Sequence, residues 1–162
     1  MGNLSTVKYK KIYWSDIANP SQEFIQSLGK KYKFHELDLE DILSEDQRSK
    51  IDDYEKYLFL VLHFPVFDKR TGAIKVFQVN IFIGQKFIIT LHDEDNKVIN
   101  DLINECKNKV KARREYMSNG TGFLLYEILA RVFDNAFKII DKIEDALTEV
   151  EKDVFDSSSE QK

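Results

Sequence analysis

The segment Tyr57-Leu58-Phe59-Leu60-Val61-Leu62-His63-Phe64 decides the fold class, together with two strand-like segments that follow it, residues 73–83 and Lys86-Phe87-Ile88-Ile89-Thr90-Leu91. In the first, Leu58, Leu60, Leu62 and Phe64 point one way, and Phe59, Val61 and His63 point the other. Both faces are mostly apolar, so this strand belongs inside a sheet covered on both sides. Pro65 predicts an edge or an exit at the far end, because proline has no N–H for the ladder. Asp68-Lys69-Arg70-Thr71-Gly72 reads as a hairpin turn, 73–83 as a strand of alternating character, and Gly84-Gln85 as a two-residue hairpin that opens on glycine. An antiparallel meander of three strands is expected.

Immediately upstream, His35-Glu36-Leu37-Asp38-Leu39-Glu40-Asp41-Ile42-Leu43 places Leu39, Ile42 and Leu43 at i, i+3, i+4, one apolar helical face. Glu36 and Glu40 are i, i+4 neighbours and Asp38 and Asp41 are i, i+3, which lines the outer faces with carboxylates. Between residues 35 and 55 nine carboxylates meet two cations, Arg48 and Lys50, a local excess of seven against −4 for the whole chain. Charge this dense destabilises the segment unless water, salt, a metal ion or a basic partner compensates it. A hard cation such as Mg²⁺ takes oxygen ligands, keeps several waters and needs one or two carboxylates from a surface. Asp41 and Glu40 lie about 100° apart on a helix, which suits two neighbouring sites better than one shared ion. By spacing alone, a solvated acidic face is the favoured reading.

Towards the N-terminus, residues 7–14 are aromatic-rich and predict a first strand. Ser15-Asp16 and Asn19-Pro20-Ser21 read as turn and helix start, with Ser21 or Asn19 as cap. Phe24, Ile25 and Leu28 supply that helix's apolar face, and Gly29 is expected to end it. Beyond the meander, His92-Asp93-Glu94-Asp95 supplies a cap and first-turn acids for a helix, in which Val98, Leu102, Ile103, Cys106 and Val110 share a face. The basic run of Lys107, Lys109, Lys111, Arg113 and Arg114 reads as a solvated helix face suited to the C-terminal dipole. Ser118-Asn119-Gly120-Thr121-Gly122 breaks the helix. A last helix over 123–155 carries Leu125, Ile128, Leu129, Val132, Phe133, Ala136, Phe137, Ile140, Ile143, Leu147, Val150 and Val154 in steps of three and four. Its length of roughly 50 Å exceeds a domain whose radius of gyration is about 15 Å, so its far end is expected to project. The organisation is a core over 1–120, a long helix over 121–156 and a tail over 157–162. The fold class is α/β, a mixed sheet with an antiparallel meander between helices on both faces and a projecting C-terminal helix.

The 162 residues fit one domain, and 32% charged with 12% aromatic residues describes a folded chain. A pI near 5.5 argues against a nucleic-acid partner. Cys106 stands alone, so there is no internal disulfide and a reducing compartment is expected. No apolar signal region opens the chain, and no window approaches the ~20 apolar residues of a membrane span. His35, His63 and His92 lack metal-ligand spacing, His35 reading as a helix-start residue and His63 as a hydrogen-bonded sheet residue. No nucleophile motif or phosphate loop is present, so neither an enzyme nor a small-molecule substrate is expected.

The order of acidic Leu-Glu-Asp-Ile-Leu helix (39–43), Gln47-Arg48-Ser49-Lys50, acidic-aromatic spacer and apolar strand resembles the cytoplasmic N-terminal domain of the CorA family of magnesium transport proteins. There the pattern runs His-Pro-Leu-x-x-Glu-Asp-Ile-Leu and then Gln-Arg-Pro-Lys; Glu36 and Ser49 stand where the prolines are common. Leu124-Leu125-Tyr126-Glu127-Ile128-Leu129 and Asp134-Asn135 are similar to the family's Tyr-Leu-Leu-Tyr-x-(Leu/Ile)-(Leu/Ile)-Asp and the Asp-x-(Tyr/Phe) after it, with Ala130 where a carboxylate often stands. The resemblance covers roughly residues 8–156. It implies the regulatory, metal-sensing and gating domain of a Mg²⁺/Co²⁺ transporter of the cell membrane, on its cytoplasmic face, a homopentamer when complete. It also implies regulatory Mg²⁺, or Co²⁺ or another divalent cation, between subunits, with Asp41 first and Glu40 second as ligands and an aspartate opposite on the next subunit's stalk helix. The chain's own stalk and transmembrane helices are the implied partners. A ZntB-like zinc transporter domain and a stand-alone acidic interaction module are the alternatives.

Overall fold

The computed structural model describes residues 3–44, 47–68, 71–92 and 97–159. Among these, six strands form one mixed sheet in the order β1-β2-β6-β5-β4-β3. The strands are β1 (Asn3–Tyr9), β2 (Ile12–Ala18), β3 (Lys50–Tyr54), β4 (Tyr57–Asp68), β5 (Ala73–Gly84) and β6 (Phe87–His92). The helices are α1 (Gln22–Tyr32), α2 (Glu36–Leu43), α3 (Lys97–Asn108), α4 (Val110–Met117) and α5 (Thr121–Ser159). Strands β3 to β6 pair antiparallel, β2 runs parallel to β6, and β1 closes the far edge antiparallel to β2.

The two-sided apolar character of β4 is borne out. Phe59 and Val61 enter the core beneath α1 and α2, beside Ile25, Phe34, Ile42 and Phe82. Leu60 and Phe64 enter the opposite core, with Trp14, Ile81, Ile99, Leu102, Leu124 and Ile128 beneath α3, α4 and α5. Helices therefore cover both faces, as the strand pattern requires. The expected hairpin after Asp68 is closed by Gly72, which takes a left-handed φ of 69° and donates from its N–H to the Asp68 carbonyl, while Lys69 and Arg70 lie outside the described residues.

Several expectations need correction. Residues 7–14 are parts of two strands, not one, joined at Lys10-Lys11 with Lys10 at φ 52°. Ser15 and Asp16 lie inside β2. The spacer after Ser49 contains β3, joined to β4 by a tight hairpin in which Tyr54 lies opposite Tyr57. Pro65 does not end β4, which continues to Asp68, but it does lie on an edge, because β3 pairs β4 only over Tyr57–Val61 and, among the described residues, β5 alone flanks the rest. Gly84 is not at positive φ, so the glycine-first turn does not form; an added Cβ there would sit 2.4 Å from the Phe87 ring. Gly29 lies within α1, against Leu39; the helix ends at Lys33, whose φ of 58° is left-handed. The Ser21 cap is borne out, its Oγ accepting from the Phe24 N–H.

The helix after β6 is two helices, so Val110 is 72% exposed at the start of α4 instead of sharing the α3 face. The Asp93-Glu94-Asp95 part of the expected cap lies outside the described residues. Helix α5 is about 58 Å long at 1.5 Å per residue. Leu124, Ile128, Val132, Ala136 and Ile139 are buried, whereas Phe133, Phe137 and Ile140 from the expected stripe are largely exposed. Beyond Ile139 the described residues of α5 are exposed, including Ile143, Leu147, Val150 and Val154, so the far end projects as expected.

Candidate functional site

Helix α2 is short, and its position is fixed by its N-terminal turn. His35 caps it, Nδ1 accepting from the Leu37 N–H at 3.2 Å, as expected of a helix-start histidine. Its imidazole stacks on Tyr54, ring centroids 5.7 Å apart. The Tyr57 hydroxyl accepts from the His35 N–H and donates to Asp38 Oδ2, both at 2.8 Å. Tyr54 donates to Asp38 Oδ1 at 2.8 Å. Asp38, expected on the outer face, is completely buried and docks α2 onto the β3–β4 hairpin. Leu43, expected on the apolar face, is about half exposed instead. Burial, and after it the Asp38 carboxylate, pushes the Tyr54 hydroxyl up to about 12. Burial likewise raises Tyr57. Both hydroxyls are therefore protonated donors at neutral pH.

Asp41, one turn on, is bound by Lys50. Its buried Oδ2 accepts a charge-assisted hydrogen bond from the Lys50 ammonium at 2.5 Å. The same ammonium lies 2.6 Å from Asp52 Oδ2, and its stem crosses the Phe59 ring. Contact with Asp41 first, and with Asp52 second, raises the Lys50 pKa. Alternation in β3 sends Lys50, Asp52 and Tyr54 towards α2 and turns Ile51 out to 64% exposure. Asp38, Asp41 and Asp52 each place a carboxylate oxygen within 4.8 Å of the others. Glu40 is exposed on the outer side of the helix.

The structure thus separates the two expected ligands: Asp41 faces inward to Lys50 and Glu40 faces water. Sequence reasoning missed Asp38, Lys50 and Asp52 as members of the same corner. The signal for them lay in the period of two from Lys50 to Tyr54. This donor set is chemically fit for a hard cation: all oxygen, rich in negative charge, with a buried Asp41 oxygen already paired to a cationic group.

Two other polar constellations sit on the sheet. On the α3 face, the Trp14 indole N–H donates to Thr90 Oγ1 at 3.1 Å, and Thr90 donates to Asp16 Oδ1. His92 Nε2 reaches the same Asp16 oxygen at 3.2 Å. On the α2 face, Ser49 Oγ meets His63 Nδ1 at 2.9 Å and His63 Nε2 meets Gln78 Oε1 at 3.2 Å, so His63 is the hydrogen-bonded sheet residue expected. Cys106 is buried, which pushes its thiol up to about 11. No helix among the described residues is long and apolar enough to cross a membrane.

An α/β domain with an acidic corner, from which one long helix departs, defines the class. The chain belongs to the family described as CorA-like Mg²⁺ transporter protein, whose model matches residues 9–162. That is a family of transport proteins and not of enzymes. YfjQ of Bacillus subtilis, provisionally named a metal ion transporter, is 31% identical over 140 residues, 86% of this chain and 41% of that protein. The cobalt/magnesium transport protein CorA of Thermotoga maritima is 25% identical over 135 residues, 83% of this chain and 37% of its own length. The chain thus spans about two fifths of the length of these relatives. The soluble domain of CorA from Methanocaldococcus jannaschii has this fold, with a TM-score of 0.75 and 25% identity over 94% of this chain and 64% of that one. The ZntB cytoplasmic domain from Vibrio parahaemolyticus shares the fold at a TM-score of 0.67 and 13% identity, over 87% of this chain and 55% of that one.

Proposed function

We propose that the chain is the cytosolic regulatory domain of a CorA-like Mg²⁺/Co²⁺ transporter. In the complete protein it works as one of five equivalent subunits at the cytoplasmic face of the membrane. Its role is to sense divalent cations and gate the pathway. The observation that carries the reading is the acidic corner of α2, in a chain of this family: Asp41 already engages a cation, and Glu40 stands exposed beside it.

Asp41, and secondarily Glu40, would hold Mg²⁺ against a carboxylate from the stalk helix of the next subunit. When bound, the ion supplies the positive charge that lets facing carboxylates approach. Asp38 and its two tyrosines keep α2 fixed against the sheet, so Asp41 is presented from a rigid support. Control of gating requires that the closed assembly bind the ion more tightly than the open one. A zinc transporter's domain, as in ZntB, is the second reading, favoured by the shared fold; transport assays of the complete protein with Mg²⁺, Co²⁺, Ni²⁺ and Zn²⁺ separate the two.

The test is Asp41→Ala in the complete protein, followed by limited proteolysis across a Mg²⁺ titration. Protection by Mg²⁺ is expected to need at least tenfold more ion in the variant, one decade in affinity. An unchanged titration overturns the role of Asp41.

A further inference from the structure

Lys50 occupies the position from which a divalent cation would neutralise Asp41. Its ammonium lies 2.5 Å from Asp41 Oδ2 and 2.6 Å from Asp52 Oδ2, joining helix α2 to edge strand β3. Three carboxylates whose oxygens come within 4.8 Å of one another carry three negative charges, and this lysine returns one. Asp38 does not compete for the lysine, because both its oxygens are taken by tyrosine hydroxyls. The corner therefore holds a monovalent cation on a tether, with charge left over for a second positive charge. Lys50 is not locked in: its side chain is 34% exposed, and a lysine stem has enough rotatable bonds to carry the ammonium into water.

We infer that Lys50 is a built-in competitor for the divalent cation at Asp41, so that the ion binds there only as the ammonium swings away. This rests on the reading of Asp41 as a cation ligand and adds what sets its affinity. While Lys50 is engaged, Asp41 is not free to bind. The apparent dissociation constant is then the intrinsic one divided by the fraction of molecules whose lysine is out. Two ion pairs at the domain rim are individually weak, so that fraction is on the order of a tenth and the affinity is weakened about tenfold. Edge strand β3 is drawn into the event, because the same displacement releases Asp52. The exchange is purely one of cations: the lysine leaves charged, and no proton is gained or lost.

The experiment follows Mg²⁺-dependent protection of the complete protein from limited proteolysis at constant ionic strength, for the wild type, Lys50→Gln, Lys50→Arg and Asp41→Asn. Lys50→Gln is expected to bind Mg²⁺ about tenfold more tightly than wild type, one decade in the dissociation constant. Lys50→Arg keeps the charge and should bind as weakly as wild type, which separates loss of the cation from loss of the fold. A second readout uses the unaltered protein. Acetylation by an N-hydroxysuccinimide ester, followed residue by residue by mass spectrometry, should speed up at Lys50 as Mg²⁺ is added. If Asp41→Asn weakens binding while Lys50→Gln does not strengthen it and Lys50 labelling is unmoved by Mg²⁺, the competitor is overturned and the ligand role of Asp41 stands. If Asp41→Asn binds Mg²⁺ as well as wild type, the ligand role falls and the competitor falls with it. Absence of protection of Lys50→Gln at tens of millimolar Mg²⁺ also overturns the inference.

Discussion

Asp16 and Asp38 are both buried carboxylates, 2% and 0% exposed, yet the chain accommodates them by different means. Asp16 sits mid-sheet on the α3 face, where Thr90 and His92, both on the neighbouring strand β6, converge on one of its oxygens. The relay runs back through Thr90 to the Trp14 indole, so four internal side chains close on one another and tie the parallel pair β2–β6. Asp38 sits on a short helix at the rim. Its donors are two tyrosines of one hairpin, and beside it stand Asp41, Asp52 and Lys50 with an unbalanced charge. A buried acid enclosed by its own donors serves cohesion. One that borders surplus charge at an accessible edge holds a responsive surface in place.

Substitution should separate the two. Asp16→Ala strips an acceptor from Thr90 and His92 at once in a fully enclosed setting, and about 3–4 kcal/mol of unfolding free energy is expected to go. Urea unfolding measures it; a loss under about 1 kcal/mol would make Asp16 an ordinary sheet residue. Asp38→Ala should cost less, about 2 kcal/mol, because the partly exposed Tyr54 hydroxyl can turn to water and the buried Tyr57 hydroxyl keeps the His35 N–H as a partner. Its signature is local: hydrogen exchange in α2 should quicken more than in β5. Equal losses for the two variants would remove the distinction.

Surface pairing supplies the lower end of the scale. Glu105 bonds Lys109 at 3.2 Å and lies 3.5 Å from Arg131. The Lys109 bond, opposed by partial burial, holds its carboxyl below the ordinary 4.5. A folded-state pKa below the unfolded one stabilises above pH ~4.5, and the gain is lost as pH falls through the folded value. Glu105→Gln should therefore cost about 0.5 kcal/mol at pH 7 and nothing once both states are protonated. Thermal melts at pH 7 and pH 3 show whether the gap between variant and wild type closes in acid.

What the sequence made legible follows the physics of each segment. The β4–β6 meander was plain because long apolar runs are separated by short polar or glycine-bearing breaks, although the type of the turn at Gly84-Gln85 was misread. The β1–β2 hairpin was hidden because Lys10, at φ 52°, occupies a position where glycine or asparagine is the usual marker. Strand β3 was hidden because its inward residues are Lys50, Asp52 and Tyr54 while apolar Ile51 faces out, inverting the usual alternation. Asp38 was misplaced for a related reason. A carboxylate is read as outward until its donors are known, and these come from residues 54 and 57 across a turn. Asp41 and Glu40 were picked out as candidate ligands, but Lys50's claim on Asp41 depends on tertiary pairing that helical spacing cannot express.

Helix α5 leaves the sheet near Ile139 and runs on as far as Ser159, roughly 30 Å of rod beyond the last buried side chain among those described. A rod anchored along one half and held clear along the other acts mechanically as a lever. Rocking the domain by about 10° would sweep the tip through some ~5 Å, comparable to a full helical pitch. A rearrangement too small to notice within the sheet would thus arrive at the distal end as a displacement the size of a side chain.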